Sequence, residues 1–172
     1  MVKYFESPLF TSNSEEWSTP QDLFDQLDKH FNFDLDAAAS DKNHKCKKYF
    51  TKEQDSLKQD WTKFRSIYLN PPYGRQIGQW IEQSYITVYS LLNEKTKCES
   101  VVLLLPSRTD TRWFHKFCTK GLIVFLPGRL KFGDSKNSAP FPSMIVVFNR
   151  KYKPKTFFSL DELFKYTKCN WH

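Results

Sequence analysis

Two adjacent prolines, Pro71 and Pro72, fix where a strand must stop and a turn must begin. Each holds φ at about −65° and has no N–H to donate, and Pro72 also drives the residue before it out of the helical region. Neither a β-ladder nor a helix can run through this pair. The segment before it, Ser66-Ile67-Tyr68-Leu69, is apolar and partly β-branched and reads as a short buried strand. The segment after it, Gln76 to Leu92, repeats apolar residues at helical spacing through Ile77, Trp80, Ile81, Val88 and Leu91. Strand, rigid turn and helix in that order form the unit of an α/β sheet. The turn then sits at the carboxyl end of its strand, where open α/β sheets bind ligands.

The turn reads Asn70-Pro71-Pro72-Tyr73, and its chemistry is unusual for a turn. The Pro71 carbonyl is held extended and able to accept, the Asn70 amide offers a second oxygen beside it, and Tyr73 offers a flat face for stacking. Two acceptors and a ring suit an aromatic amine. Such an amine is a poor nucleophile, because its lone pair is delocalised into the ring. Acceptance of its two N–H bonds by Asn70 and Pro71 pushes the nitrogen toward tetrahedral geometry and aims the lone pair outward. That is positioning plus electrostatic stabilisation. No cysteine lies nearby in sequence to serve as a covalent nucleophile, and this chemistry needs none.

Residues 1–16 read as an irregular polar segment, and 17–172 as a single domain. Thr19-Pro20-Gln21-Asp22 predicts a helix start, with Thr19 as N-cap and Pro20 at the first helical position, followed by Leu23, Phe24, Leu27 and Phe31. Its exposed N–H groups suit an anion. Phe31 to Asp36 alternates apolar and polar, predicting the first strand, and opens into Ala37-Ala38-Ala39-Ser40. In a nucleoside-binding α/β fold an acid near the end of an early strand takes donors from the ligand, and small residues allow close approach. Asp34 and Asp36 are the candidates, with Ala37 beside them. Lys42, Lys45, Lys47 and Lys48 around His44 read as a solvated basic loop, Tyr49-Phe50-Thr51 as a short strand, and Asp55 as a further acid near the ligand.

Ser100 to Leu105 is a continuous apolar strand, and Gly121 to Leu126 and Met144 to Phe148 are two more. The last two are joined by a polar loop, which predicts a closing antiparallel hairpin. The loops after these strands carry Arg108, Arg112, Arg129, Lys131 and Phe141 to the same edge as Asn70, where the basic residues can grip phosphate. The segment Leu160 to Tyr166 reads as a peripheral amphipathic helix. A formal charge of +7 from 26 Lys and Arg against 19 Asp and Glu favours a polyanionic partner, nucleic acid above all. Cys46, Cys98, Cys118 and Cys169 lie far apart and predict free thiols; His44 and Cys46 lack a second ligand pair, so no metal is assigned. No apolar run reaches the length of a membrane span and no signal peptide is visible, which predicts a cytoplasmic location.

Several of these stretches belong together. Trp17-x-Thr19-Pro20, Phe33-Asp34-Leu35-Asp36-Ala37-Ala38, Tyr49-Phe50-Thr51, Asp55-x-Leu57, Asn70 to Tyr73, Arg108-Thr109-Asp110-Thr111, Pro127-Gly128-Arg129 and Ala139 to Ser143 resemble the phage-type DNA N6-adenine methyltransferase family. The resemblance implies a Rossmann-like class I methyltransferase fold, with helices on both faces of a mostly parallel sheet of about seven strands and a terminal antiparallel hairpin. It also implies S-adenosyl-L-methionine as methyl donor and DNA as partner. Trp17, Thr19, Pro20, Asp34, Asp36, Ala37 and Asp55 would then lie at the donor. Asn70, Pro71, Pro72 and Tyr73 would lie at a flipped target adenine, and Arg108, Arg112, Arg129, Lys131 and Phe141 at DNA. Methyltransferases usually carry glycines where this chain has alanines after Asp36. Similar Asn-Pro-Pro-Tyr runs occur in enzymes that methylate RNA or protein glutamine, and a catalytically silent nucleic-acid-binding module shares the charge and the aromatics.

Overall fold

The computed structural model describes residues 17–89, 96–133 and 137–169. The segment 1–16 expected to be irregular and the Leu91–Leu92 end of the helical run lie outside the described residues. Among the described residues six strands, against about seven expected, form one sheet, β1 (Leu35–Asp36), β2 (Ser66–Leu69), β3 (Ser100–Pro106), β4 (Leu122–Phe125), β5 (Ser143–Asn149) and β6 (Lys155–Phe157), in the order β1-β2-β3-β5-β4-β6. β1, β2 and β3 pair in parallel, as do β4 and β6, whereas β5 is antiparallel to both β3 and β4. Five strands therefore run one way and β5 runs against them.

The expected antiparallel pair of late strands is present as β4 and β5, from Leu122↔Val147 to Phe125↔Met144. It does not close the sheet. All seven residues of β5 are buried, and it pairs with β3 along its whole length, from Ser100↔Asn149 to Pro106↔Ser143. A strand apolar on both faces belongs in a sheet interior. The edge falls instead to β6, three residues long, with Lys155 and Thr156 exposed, a short and charged edge of the kind that resists further pairing.

Side chains alternate between the two faces, as the pleat requires. Ile67, Leu69, Val101, Leu103 and Leu105 face α2 (Ile77–Tyr89) and α3 (Arg112–Lys116), packing with Ile77, Ile81, Val88 and Phe114. Tyr68, Val102, Leu104, Val124 and Ile145 face the other way, onto Leu23, Phe24 and Leu27 of α1 (Gln21–Phe31) and Leu163 of α4 (Leu160–Cys169). Helices thus cover both faces. α4 is not peripheral: Leu163 is fully buried, and the Tyr152 hydroxyl donates to the Thr167 carbonyl at 3.1 Å. The Thr167 hydroxyl donates to the Leu163 carbonyl at 2.9 Å, so His30 Nε2–H is the donor in its 2.6 Å contact with Thr167. That bond ties α4 to α1.

Two local expectations change. The segment from Phe31 to Asp34 is not strand: α1 runs through Phe31 and closes at Asn32, left-handed at φ 53, with its N–H on the Asp28 carbonyl at 2.7 Å. Leu35 and Asp36 pair with β2; ahead of them the Phe33 N–H turns back to the Asp28 carboxylate at 2.8 Å, which keeps the cap from extending the strand. The predicted strand at Tyr49–Thr51 reduces to a single parallel bridge, Asp36↔Tyr49. The carboxyl ends of β1, β2, β3 and β4 and the start of β5 share one edge. Ser107 N–H bonds the Pro142 carbonyl at 2.9 Å there, and Leu126 N–H bonds the Ser143 carbonyl at 3.1 Å.

Candidate active site

Asn70 leaves β2 at that edge on the α1 side of the sheet, the side of Tyr68 two residues before it. Its Nδ2 donates to the Trp17 carbonyl at 2.6 Å and to Thr19 Oγ1 at 3.0 Å. A carbonyl oxygen only accepts, so the nitrogen must be the atom that faces Trp17, and the orientation of the amide is fixed by chemistry. Asn70 Oδ1 is consequently turned away, buried, and without a hydrogen-bond partner. A buried acceptor left unpaired costs free energy, about 1–3 kcal/mol, and invites a ligand donor. The Pro72 carbonyl, not that of Pro71, takes the Gly74 N–H at 2.9 Å as the chain turns toward α2.

Residues 17–19 clasp this turn from the far side of the sequence. Beyond the two contacts to Asn70, Ser18 Oγ donates to Asn43 Oδ1 at 2.9 Å, and the Ser18 carbonyl accepts the Gly133 N–H at 2.8 Å. Thr19 is not the helix cap. Pro20 occupies that position, and no side chain caps α1, which leaves the Thr19 hydroxyl to meet the Tyr68 hydroxyl at 2.6 Å in the interior. Burial holds the Tyr68 phenol protonated far above its ordinary range.

Tyr73 turns its hydroxyl inward, donating to the Leu104 carbonyl at 3.2 Å; burial, then the neighbouring Tyr68, raises its pKa well above the ordinary phenol value. Its ring stays partly exposed and meets Phe141 edge-on at 5.5 Å and Phe132 at 6.3 Å. Trp17 meets the same two phenylalanines, each at 5.2 Å. Phe132 completes this aromatic cage, yet in sequence it is one apolar residue in a polar loop. Only its burial marks it.

Asp36, at the end of β1, is 3% exposed and lines a small pocket with Thr19, Asn70 and Tyr68. Its carboxylate accepts the N–H groups of Ala38 at 3.3 Å and Lys45 at 3.0 Å. Burial raises its pKa despite those bonds and the nearby charges of His44 and Lys45. Asn43 and Lys45 reach the pocket from a loop that reads in sequence as solvated. Lys45 Nζ also donates to Gln21 Oε1 at 2.7 Å, and burial lowers its pKa.

Not every candidate acid comes here. Asp34 lies at the other end of the sheet, accepting the N–H groups of Arg65 and Ser66, each at 3.0 Å. Asp55 is an exposed, left-handed residue paired with Lys58 at 2.7 Å. Ala37 points its methyl group into the α2-side core, while its N–H bonds the Tyr68 carbonyl at 2.9 Å.

Arg108 and Arg112 follow β3, with Arg112 exposed as the first residue of α3. Arg129 and Lys131 are exposed after β4, and Arg129 Nη1 donates to the Pro140 carbonyl at 3.2 Å, bracing the loop that carries Phe141. Cys46, Cys98 and Cys118 are unbridged and buried, and burial pushes each thiol up to about 12, which makes them inert as nucleophiles. Among the described residues no group of three or more His, Cys, Asp or Glu could hold a metal, and no helix is long and apolar enough to cross a membrane.

The sequence pattern of a family described as DNA N-6-adenine-methyltransferase (Dam) matches residues 6–167 of this chain. A protein of Haemophilus phage HP1 (strain HP1c1), named DNA N-6-adenine-methyltransferase, is 31% identical over 150 residues, covering 81% of this chain and 82% of that protein. One of Escherichia phage T1, with the same name, is 34% identical over 99 residues, covering 57% of this chain. This chain spans 38% of the length of the T1 relative.

Proposed function

The chain belongs to the DNA N-6-adenine-methyltransferase family, and from that premise we propose that it methylates the exocyclic N6 of adenine in DNA at the sheet edge where Asn70 stands. The observation that carries this reading is Asn70 Oδ1, buried and unpaired while its own nitrogen is locked away. An amine with two N–H bonds fits that oxygen and the adjacent Pro71 carbonyl, and a carbonyl-bearing base does not. Acceptance of both N–H bonds localises the nitrogen lone pair and aims it out of the ring plane.

The sheet, covered on both faces and reversed only at β5, is read as the Rossmann-like class I methyltransferase sheet, carried by one domain over 17–172. S-adenosyl-L-methionine, when bound, supplies an electrophilic methyl group on a sulfonium sulfur. The polar groups beside Asn70 suit the hydroxyls of such a donor: Asp36 keeps lone pairs beyond its two backbone N–H bonds, and burial raises its pKa. Ala38 lines the same small pocket, and Trp17 and Pro20, which flank the pocket residue Thr19 in sequence, are assigned to the donor with it, whereas Asp34 and Asp55 act as local braces. A base inside a duplex cannot reach this pocket, so the target is flipped out, with the Tyr73 ring as platform and Phe141 beside it. Arg108, Arg112, Arg129 and Lys131 meet the phosphates around it. For a phage enzyme the setting is the cytoplasm of a bacterial host.

The test offers methyl-labelled S-adenosyl-L-methionine with duplex DNA, RNA and protein, followed by mass spectrometry of the hydrolysed acceptors. Label at N6 of deoxyadenosine is expected. Label confined to RNA or to glutamine, or no transfer at all, contradicts the proposal.

A further inference from the structure

We propose that Thr19 and Tyr68 are positioning residues, which hold the Asn70 amide with its oxygen toward the base and so make the site select an amine over a carbonyl. This rests on the reading of Asn70 as the amine acceptor. An asparagine amide is nearly symmetric in shape, and only its hydrogen-bond partners decide which end faces the substrate. Turned by 180°, it would present N–H groups to the base and favour a 6-oxopurine over adenine. Here the nitrogen has two acceptors, the Trp17 carbonyl at 2.6 Å and Thr19 Oγ1 at 3.0 Å. The turned amide would set two carbonyl oxygens against each other at Trp17.

The Thr19 hydroxyl alone is not selective, because it can rotate to donate or to accept. Its 2.6 Å contact with Tyr68 removes part of that freedom. Tyr68 is 1% exposed, with its phenol kept protonated, and Thr19 is 4% exposed. If Thr19 donates to Tyr68, its oxygen is left only to accept from Asn70. If Tyr68 donates to Thr19, the Thr19 hydrogen is left over, and the Trp17 carbonyl alone fixes the amide. Thr19 is selective in the first arrangement, in which Tyr68 takes its hydrogen. The chain Tyr68–Thr19–Asn70 thus carries a buried phenol's proton inventory to the choice of base. Thr19 is thereby assigned to the amide and not to the methyl donor, although it lines the same pocket.

The test compares Thr19→Val, Thr19→Ser, Tyr68→Phe, Asn70→Ala and the pair Thr19→Val/Tyr68→Phe in the full chain. It uses a duplex methylated by the wild type and a matched duplex with deoxyinosine at the target. Thr19→Val should lose kcat on the order of 10- to 100-fold, with the Kd for S-adenosyl-L-methionine within about twofold of wild type. It should also shrink the ratio of affinities for deoxyadenosine and deoxyinosine toward the value in Asn70→Ala. Thr19→Ser, which keeps the oxygen, should restore both. Tyr68→Phe should act in the same direction and more weakly, and the double variant should be no worse than Thr19→Val, since both act through one chain of bonds. An unchanged kcat in Thr19→Val, or a weakened donor with the base ratio intact, overturns the inference. Tyr68→Phe removes one oxygen and keeps the ring, so it decides the matter if Thr19→Val does not fold; additive losses count against. If Asn70→Ala itself stays active, the reading of Asn70 fails, whatever Thr19 does.

Discussion

The two ends of the sheet use the same kinds of residue to opposite effect. Where β2 and β3 begin, polar groups satisfy one another: Asp34 accepts from Arg65 and Ser66, the Ser66 and Ser100 hydroxyls meet at 3.1 Å, and Glu99 lies 3.9 Å from Arg65 and 4.0 Å from Lys151. Where those strands end, Asn70 Oδ1, Ser107 Oγ and Ser143 Oγ are buried without partners, and Asp36 is a carboxylate that burial outweighs. Asp34 and Asp36 are two residues apart and each accepts two backbone N–H bonds, yet Asp34 is exposed to water and Asp36 is buried beside Asn70. Polar groups at the first end hold strand register. Those at the second keep unfilled hydrogen-bonding capacity, the feature by which buried groups nominate a site.

The contrast is sharpest at Asp36. Asp36→Ala should weaken S-adenosyl-L-methionine binding by about 1.5–3 kcal/mol, the worth of hydrogen bonds to a charged group, as isothermal titration can measure. Because burial raises the pKa, the folded protein favours the neutral acid. Ionised Asp36 is the better acceptor, so donor affinity should fall as pH drops through a value above the ordinary carboxylate pKa. For stability the sign is opposite: the contribution of this group is most favourable at low pH, and is lost as pH rises through the unfolded-state value and then the raised folded one. Unchanged donor affinity in Asp36→Ala would remove the distinction between the two acids.

Tyr73→Ala should cost about 1–3 kcal/mol of DNA affinity, the worth of a stacked base, while Tyr73→Phe keeps the ring and should bind DNA nearly as wild type does. A phenylalanine variant as impaired as the alanine one would assign the role to the hydroxyl on the Leu104 carbonyl. Asp34→Ala should lower unfolding stability by about 1 kcal/mol with the single-turnover rate intact; a lost rate in a folded protein would mean that the first end is functional too. Lys131→Gln should be the mildest change, flattening the salt dependence of DNA binding by about one unit across all sequences. A loss restricted to one sequence would make Lys131 a base reader.

The second end was legible in sequence because it is built on punctuation. Pro71 and Pro72 mark the strand end in any context, and β2, the turn and α2 follow from them. What holds the site is not local: Trp17 and Thr19 reach Asn70 from 53 and 51 residues upstream, and no periodicity records such a contact. Thr19-Pro20 reads as a helix cap and turns out to serve the amide, since Pro20 takes the cap position. Asp34 and Asp36 look alike until the strand is known to span only Leu35–Asp36. Lys45 and Asn43 read as a solvated loop because their pocket is assembled by folding. β6 has no signature in sequence because three residues carry no period, and α4 reads as peripheral because the polar residues of its exposed side outnumber the buried Leu163 and Thr167.

In the proposed reaction the free oxygen of Asn70 accepts the substrate amine and does not hold the methyl donor. The direct test is Asn70→Ala, measured for single-turnover methyl transfer to duplex DNA and for S-adenosyl-L-methionine affinity on the same folded preparation. The account predicts a transfer rate reduced by at least 10²–10³, roughly the cost of removing one such stabilising group, with donor affinity within about twofold of wild type. Transfer within about tenfold of wild type, or equal loss of rate and donor binding, would contradict it.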